Sequence, residues 1–185
     1  MKKRVQLLVA AVEQNADLLA ERMHICSDAV IVNQCGRYGY EEFEREGNRI
    51  QVFSMAERGV GLSRNTALLH ADTDLCVFSD EDIVLHKDYQ ERIRRIYEEL
   101  PDADMILVNV KVAPARRTYW NEDIHRISYR NYGRYPAYSI TARHESLLRA
   151  NVHYSLLFGG GARYSNGEDS LFLRDCLKAG LKIYS

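Results

Sequence analysis

The sequence predicts an α/β protein with a mostly parallel sheet and helices on both faces. Two observations lead there. Short apolar runs alternate with segments of helical periodicity along nearly the whole chain. The chain also has 185 residues, 46% of them hydrophobic and only three of them proline. That length and composition predict one compact unit over 1–185, with a core that needs no disulfide or metal to hold it.

The elements follow in order. Val5–Val12 reads as a buried strand, and Ala16–Met23 as a helix with Leu18, Leu19 and Met23 on one side. Ala29-Val30-Ile31-Val32 and Ile50-Gln51-Val52-Phe53 are strands rich in β-branched residues. Leu62–Ala71 reads as a helix, since Leu62, Thr66 and Leu69 share a face. Leu75-Cys76-Val77-Phe78 is a strand that runs directly into Ser79-Asp80-Glu81-Asp82. Tyr89, Ile93, Ile96, Tyr97 and Leu100 recur at helical spacing with charges between them, and Pro101 stops that helix.

Met105–Val108 is a further strand, and the segment from Arg116 to Tyr138 is aromatic, basic and aperiodic, so it reads as a long loop. Tyr138–Ala142 reads as a strand and His144–Ala150 as a short helix. Gly159-Gly160-Gly161 is a conformationally permissive loop. Ser170–Ala179 is a helix suited to a cap at Gly180, and Lys182–Tyr184 begins a last strand. Parallel sheets of this kind bind ligands at the carboxyl ends of their strands, which directs attention to the residues after Val32, Phe53 and Phe78.

Composition excludes several classes. Lys plus Arg number 25 against 26 Asp plus Glu, a net charge of −1. Without a basic excess, broad binding to nucleic acid or an anionic membrane is not expected. Cys26, Cys35, Cys76 and Cys176 form no CxxC pair, which removes a zinc ribbon and fits a reduced, cytoplasmic setting. No apolar stretch approaches the ~20 residues a transmembrane helix needs, so a soluble protein is expected. The six histidines show no metal-ligand spacing.

Asp80-Glu81-Asp82 carries the strongest chemical signal. Three carboxylates at the end of an apolar strand repel one another, and a divalent cation among them offsets that repulsion. Hard cations such as Mg²⁺ are held by one or two carboxylates plus substrate phosphates, so a DxD here points to a metal–diphosphate site. The same triplet also reads as a solvated acidic turn before the helix that follows.

The stretch from Arg58-Gly59-Val60-Gly61-Leu62-Ser63-Arg64-Asn65 to the DxD resembles the inverting family 2 glycosyltransferases of the Rossmann-like GT-A fold. Phe158-Gly159-Gly160-Gly161-Ala162, followed by Gly167-Glu168-Asp169 and a helix, resembles that family's Glu-Asp motif. The resemblance runs from about Val5 to the end of the chain. It implies a nucleotide-diphosphate sugar as donor and a glycan, lipid-linked or other hydroxyl as acceptor, with Mn²⁺ or Mg²⁺ as cofactor.

It implies roles as well. Asp82 would bind the metal, and Asp80 would contact the ribose or reach the metal through water. Asp169, or Glu168 if the motif is displaced, would be the catalytic base. Arg64, taken as lying at a helix N-terminus, would add positive charge near base or phosphate, and Gly160 and Gly161 would lie beside the substrate. Without the resemblance, Arg64 reads as a surface arginine bonded to a neighbouring carbonyl, Asn65 as a cap or turn residue, and Asp169 as the N-cap of a helix from Ser170.

Departures from the family pattern are visible. Asn33 stands where an acidic residue usually meets the nucleobase, and its amide offers that base both a donor and an acceptor. Ser79 stands before the DxD, at a position that is often apolar in the family. Full members of the family normally continue into acceptor-binding elements, which this chain, ending at Ser185, is expected to lack.

Two other functions fit parts of the sequence. Asp80-Glu81-Asp82-Ile83-Val84 matches the nucleophile signature of haloacid-dehalogenase-like phosphohydrolases, although that signature normally sits in a first strand. A nucleotide-sugar-binding module without turnover fits the early end at Ser185. The stretch Arg116–Tyr135, with its interleaved aromatics, reads first as packing on the sheet, second as an acceptor contact and last as a nucleic-acid surface.

Overall fold

The computed structural model describes residues 2–112 and 117–185; Met1 and residues 113–116, Arg116 among them, lie outside the described residues. The strands are β1 (Val5–Val12), β2 (Asp28–Gln34), β3 (Gly39–Arg45), β4 (Asn48–Met55), β5 (Leu75–Asp80), β6 (Met105–Leu107), β7 (Ile140–Arg143) and β8 (Ile183–Tyr184). The helices are α1 (Ala16–Arg22), α2 (Val60–Leu69), α3 (Tyr89–Glu99), α4 (His144–Ala150) and α5 (Glu168–Lys178). One sheet orders the strands β3-β4-β2-β1-β5-β7-β6-β8. Pairings of β1 with β2 and β5, of β2 with β4, and of β6 with β8 are parallel.

Side-chain alternation divides the interior into two cores. Leu8, Val30, Val32, Cys76 and Phe78 face one side, where they meet Ala67 and Leu68 of α2 and Phe172, Leu173 and Cys176 of α5. Leu7, Val9, Ala29, Ile31, Leu75 and Val77 face the other, against Leu19 of α1 and Ile93 and Tyr97 of α3. Strands covered on both faces have no polar face, which is why β1, β2 and β5 read as continuous apolar runs.

β3 was not expected from the sequence. All seven of its residues are exposed or half-buried, so Gly39–Arg45 carries no apolar run to announce a strand. It pairs antiparallel with β4 at the sheet edge, Arg45 opposite Asn48. Between them Glu46 and Gly47 both take positive φ, 51° and 75°, the backbone of a tight hairpin turn. Its three glutamates line this edge with like charge, which disfavours pairing with another chain.

Other differences lie at boundaries. α2 starts at Val60, two residues before Leu62, and α5 starts at Glu168, two before Ser170. Residues 137–139 form a short 3-10 turn, so the strand expected from Tyr138 begins at Ile140 and runs antiparallel to both β5 and β6. Gly180 takes φ 85° just after α5, as a C-terminal cap requires.

The aromatic segment is mainly packing. Tyr119, Ile127 and Tyr135 are buried, and the Tyr119 hydroxyl donates to the Val108 carbonyl at 2.6 Å. Trp120 and Tyr129 remain exposed.

Phe172 is fully buried, stacked on Tyr154 at 4.0 Å and edge-on to Phe78 at 6.1 Å. Phe172→Ala should destabilise the protein by about 3–5 kcal/mol, read from the urea denaturation midpoint.

Candidate active site

The sheet order creates the site. β2 and β4 lie to one side of β1 and β5 to the other, so successive crossovers diverge between β1 and β5. Such a divergence leaves a crevice at the carboxyl ends of the two strands. Ala10 of β1 lies opposite Asp80 of β5 in that register. A cleft of about 560 Å³ opens there, with Ala10–Val12, Asp80–Asp82, Gly160, Gly161 and Glu168 in its walls. The strand end after Val32 contributes Gln34 and β1 contributes its own end, whereas the end of β4 contributes no lining residue.

One buried cation organises the carboxylates. The Arg64 side chain is 5% exposed. Its Nη2 donates to Asp80 Oδ1 at 2.9 Å, and its Nη1 donates to Asp169 Oδ1 at 2.7 Å and approaches Glu168 Oε1 at 3.5 Å. A buried guanidinium is costly unless paired, and here β5 and the first turn of α5 supply three partners. Arg64 is the fifth residue of α2, not a helix N-terminal residue, and it is neither exposed nor bonded to a neighbouring carbonyl. Its Cζ also lies over the Tyr154 ring, 5.2 Å from the centroid.

Burial pushes the Asp169 carboxyl up to about 6, against the lowering effect of Arg64. Glu168 and Asp80 add negative charge that works in the same direction as burial, while the Ala137 N–H, which donates to Asp169 Oδ2 at 3.0 Å, works against it. Asp169 is therefore no helix cap: α5 begins one residue earlier, and its N-cap is Gly167. Tyr138 stands in the same negative field. Its phenol is pushed up first by partial burial and then by Asp80, Asp82 and Asp169.

The remaining residues singled out in the sequence divide clearly. Asp82 is exposed on the cleft wall beside Asp80, while Glu81 Oε2 accepts the Val12 N–H at 2.8 Å and ties β5 to β1. Gly160 accepts the Val60 N–H at 2.9 Å, which docks the glycine loop on the start of α2. Gly161 has φ 79°, and a Cβ there would come within 2.9 Å of the Gly59 nitrogen, so only glycine fits without movement.

Asn33 does not reach the cleft. Its Oδ1 accepts from the Gln14 N–H at 3.1 Å and its Nδ2 donates to the Gln14 carbonyl at 2.7 Å. Asn33 and Gln34 point to opposite faces of β2, and the lining residue is Gln34. Asn65 is not a cap either: its side-chain amide bonds both the N–H and the carbonyl of Tyr154, at 2.8 and 2.9 Å.

Sequence reasoning missed Gln34, Arg58, Tyr138, Tyr154 and the end of β1. Gln34 accepts the Gly59 N–H at 2.8 Å and bonds Ser63 Oγ, so it holds the turn into α2. Arg58 lines the cleft and pairs with Glu13. Adjacency to Asn33 and to the Gly59–Gly61 turn was the available signal for these two. Tyr138 and Tyr154 carry none.

Asp80 and Asp82 could hold a metal. Both offer hard oxygen donors on the cleft wall, which suits Mn²⁺ or Mg²⁺. Among the described residues no three His, Cys, Asp or Glu side chains converge as a cage. A two-carboxylate site completed by substrate phosphates needs no such cage.

Comparison with known proteins gives this geometry a family. The profile of Glycosyl transferase family 2 matches residues 28–156, more than half of the chain. The chain belongs to this family. The match spans α2 and the acidic triplet, and α5 with Glu168 and Asp169 lies beyond it.

Among solved structures, S. aureus TarS 1-349 superposes with TM-score 0.64 at 14% identity, covering 97% of this chain and 57% of that one. Its complex with UDP-GlcNAc gives TM-score 0.63 at 15% identity, covering 97% and 55%. The mannosyltransferase PcManGT from Pyrobaculum calidifontis, in complex with GDP-Man and Mn²⁺, gives 0.61 at 14%, covering 99% and 54%. At these identities the likeness shows the fold, the GT-A arrangement, and the chain spans just over half of each of those chains. No curated protein sequence matches significantly.

The haloacid-dehalogenase reading gains no support. The acidic triplet follows the fifth strand in chain order, and the matched family is a glycosyltransferase family. Among the described residues no helix is long and apolar enough to cross a membrane, and the four cysteines are free thiols.

Two stability predictions follow from the charge network. Arg64→Met should destabilise by about 3 kcal/mol at pH 7.5, because three carboxylates lose their shared cation. For Asp169, the folded value of about 6 lies above the ordinary 3.8. Its contribution to stability is therefore fully present below about 3.8 and is lost as pH rises through about 6. Asp169→Asn should accordingly gain on the wild type by about 1–3 kcal/mol between pH 4 and pH 7, measured by urea denaturation across that range.

Proposed function

We propose that the chain is the donor-binding and catalytic unit of an inverting, metal-dependent glycosyltransferase. It would move a sugar from a nucleotide-diphosphate sugar to an acceptor hydroxyl. The observation that carries this reading is that one guanidinium joins a carboxylate of the DxD to the acid–base candidate of α5. Arg64 lies 2.9 Å from Asp80 and 2.7 Å from Asp169, beside a cleft that both elements help to enclose. Structural neighbours bound to UDP-GlcNAc, and to GDP-Man with Mn²⁺, support a donor of that class.

In this proposal the donor's diphosphate lies over the ends of β1 and β5. Asp82, with Asp80, would hold Mn²⁺ or Mg²⁺, a Lewis acid that offsets the negative charge gathering on the departing diphosphate. Gly160 and Gly161 let the chain approach the donor without side chains in the way. Asp169 accepts the proton of the acceptor hydroxyl as that oxygen attacks the anomeric carbon. The bond to the diphosphate breaks on the opposite side, which inverts the configuration.

A general base needs its value near working pH, and burial holds Asp169 at about 6. Glu168 lies beside it on the cleft wall, 3.5 Å from Arg64, and is the alternative base. Within the aromatic segment, Trp120 and Tyr129 are exposed and so free to meet an acceptor.

A thermal-shift panel of UDP, GDP and their sugar conjugates, with and without Mn²⁺, tests donor binding. At least one should raise the melting temperature in a Mn²⁺-dependent way, and Asp82→Asn should remove that dependence. No stabilisation by any of them would overturn the assignment. Asp169→Asn should retain the thermal shift while turnover of the bound sugar nucleotide falls roughly 10²–10⁴-fold. In the wild type the rate should rise with pH through about 6, as Asp169 loses its proton. Binding with no turnover at any pH would mark a binding module instead.

A further inference from the structure

Tyr154 is a buried group that this chemistry does not use. It is 2% exposed, and its hydroxyl is one of the buried side-chain polar atoms among the described residues with no hydrogen-bond partner. Its surroundings are closely packed and hydrogen-bonded. The Asn65 amide grips its N–H and its carbonyl, at 2.8 and 2.9 Å. α2 approaches the same segment so closely that a Cβ on Gly61 would fall 2.4 Å from the Ser155 carbonyl oxygen. The ring lies stacked on Phe172, 4.0 Å between centroids and 6° from parallel, three residues beyond Asp169 on α5. Arg64 Cζ lies over that ring at 5.2 Å.

We propose that Tyr154 is a positioning residue, whose ring, stacked on Phe172 and carried by a backbone that Asn65 holds, sets the Arg64 guanidinium between Asp80 and Asp169. An arginine has four rotatable side-chain bonds, and a cation settles on a π face that is already fixed. The helix carrying Arg64 and the helix carrying Asp169 are thereby both referenced to a single ring. The hydroxyl is not needed for this, since nothing accepts or donates to it.

The consequence is readable at Asp169. The groups around it are Arg64 on α2, Asp80 on β5, Glu168 on its own helix, the Tyr138 and Tyr154 phenols and the Ala137 N–H. Arg64 is the one cation among these, so any slackening of it leaves burial and two carboxylates to push Asp169 above about 6.

The test is ¹³C carboxyl NMR titration of the full chain, with the Asp169 signal assigned through Asp169→Asn. Tyr154→Leu should raise the midpoint by on the order of one pH unit, and Tyr154→Phe, which keeps the ring, should restore it. Tyr154→Met serves as the second ringless variant should the leucine form not fold. An unmoved or lowered midpoint in a folded ringless variant overturns the proposal, as does a Phe variant that shifts like Leu.

A second readout is hydrolysis of a sugar nucleotide with Mn²⁺. It rests on the reading of Asp169 as base. There the ringless variant should lose about tenfold in kcat with KM changed less than twofold, whereas a loss confined to KM overturns positioning. Should the wild type show no hydrolysis, the base reading fails while the NMR midpoint still decides the role of Tyr154.

Discussion

A single positive charge buried among three negative ones governs this protein. Arg64 has almost no contact with water, so its charge has to be met by protein groups. The groups that meet it come from elements 16 and more than 100 residues away in sequence, at the end of β5 and the start of α5. The pairing ties α2 and α5 to the end of β5. It also leaves the surrounding cleft with more negative than positive charge, an environment that favours a divalent cation and the diphosphate it would accompany.

The same arrangement sets the state of Asp169. Desolvation alone would make a carboxyl here a weak acid, and Arg64 alone would make it a strong one. Their opposition leaves it at about 6, between the two extremes. A group so balanced responds to small displacements of its cation, which gives the packing around Arg64 chemical weight. Asn65, Gly61 and Phe172 belong to that packing, although none of them faces the cleft.

Much of the fold was legible because burial on both faces writes itself into strands. β1, β2, β4 and β5 appear as apolar runs, and α3 shows its stripe at Tyr89, Ile93 and Tyr97. β3 stayed hidden because its side chains meet water on both faces, which leaves no hydrophobic pattern to read. Helix starts were missed by two residues where Val60 and Glu168 follow glycines rather than polar caps. Asn33 was misplaced for another reason. Strand residues alternate, and nothing local distinguishes the side of Asn33, closed on Gln14, from the side of Gln34, open to the cleft.

By itself, the chain's order of residues determined the alternating architecture, the acidic triplet at a strand end and the second acidic motif after the glycines. These are local features, written in spacing and residue type. Only the tertiary structure decided that Arg64 is buried and shared by both motifs, that Asp80 faces it, and that Tyr154 lies beneath it. Those facts depend on contacts across 16 to 105 residues of chain, and on the desolvation that arises only when the elements close around a charge.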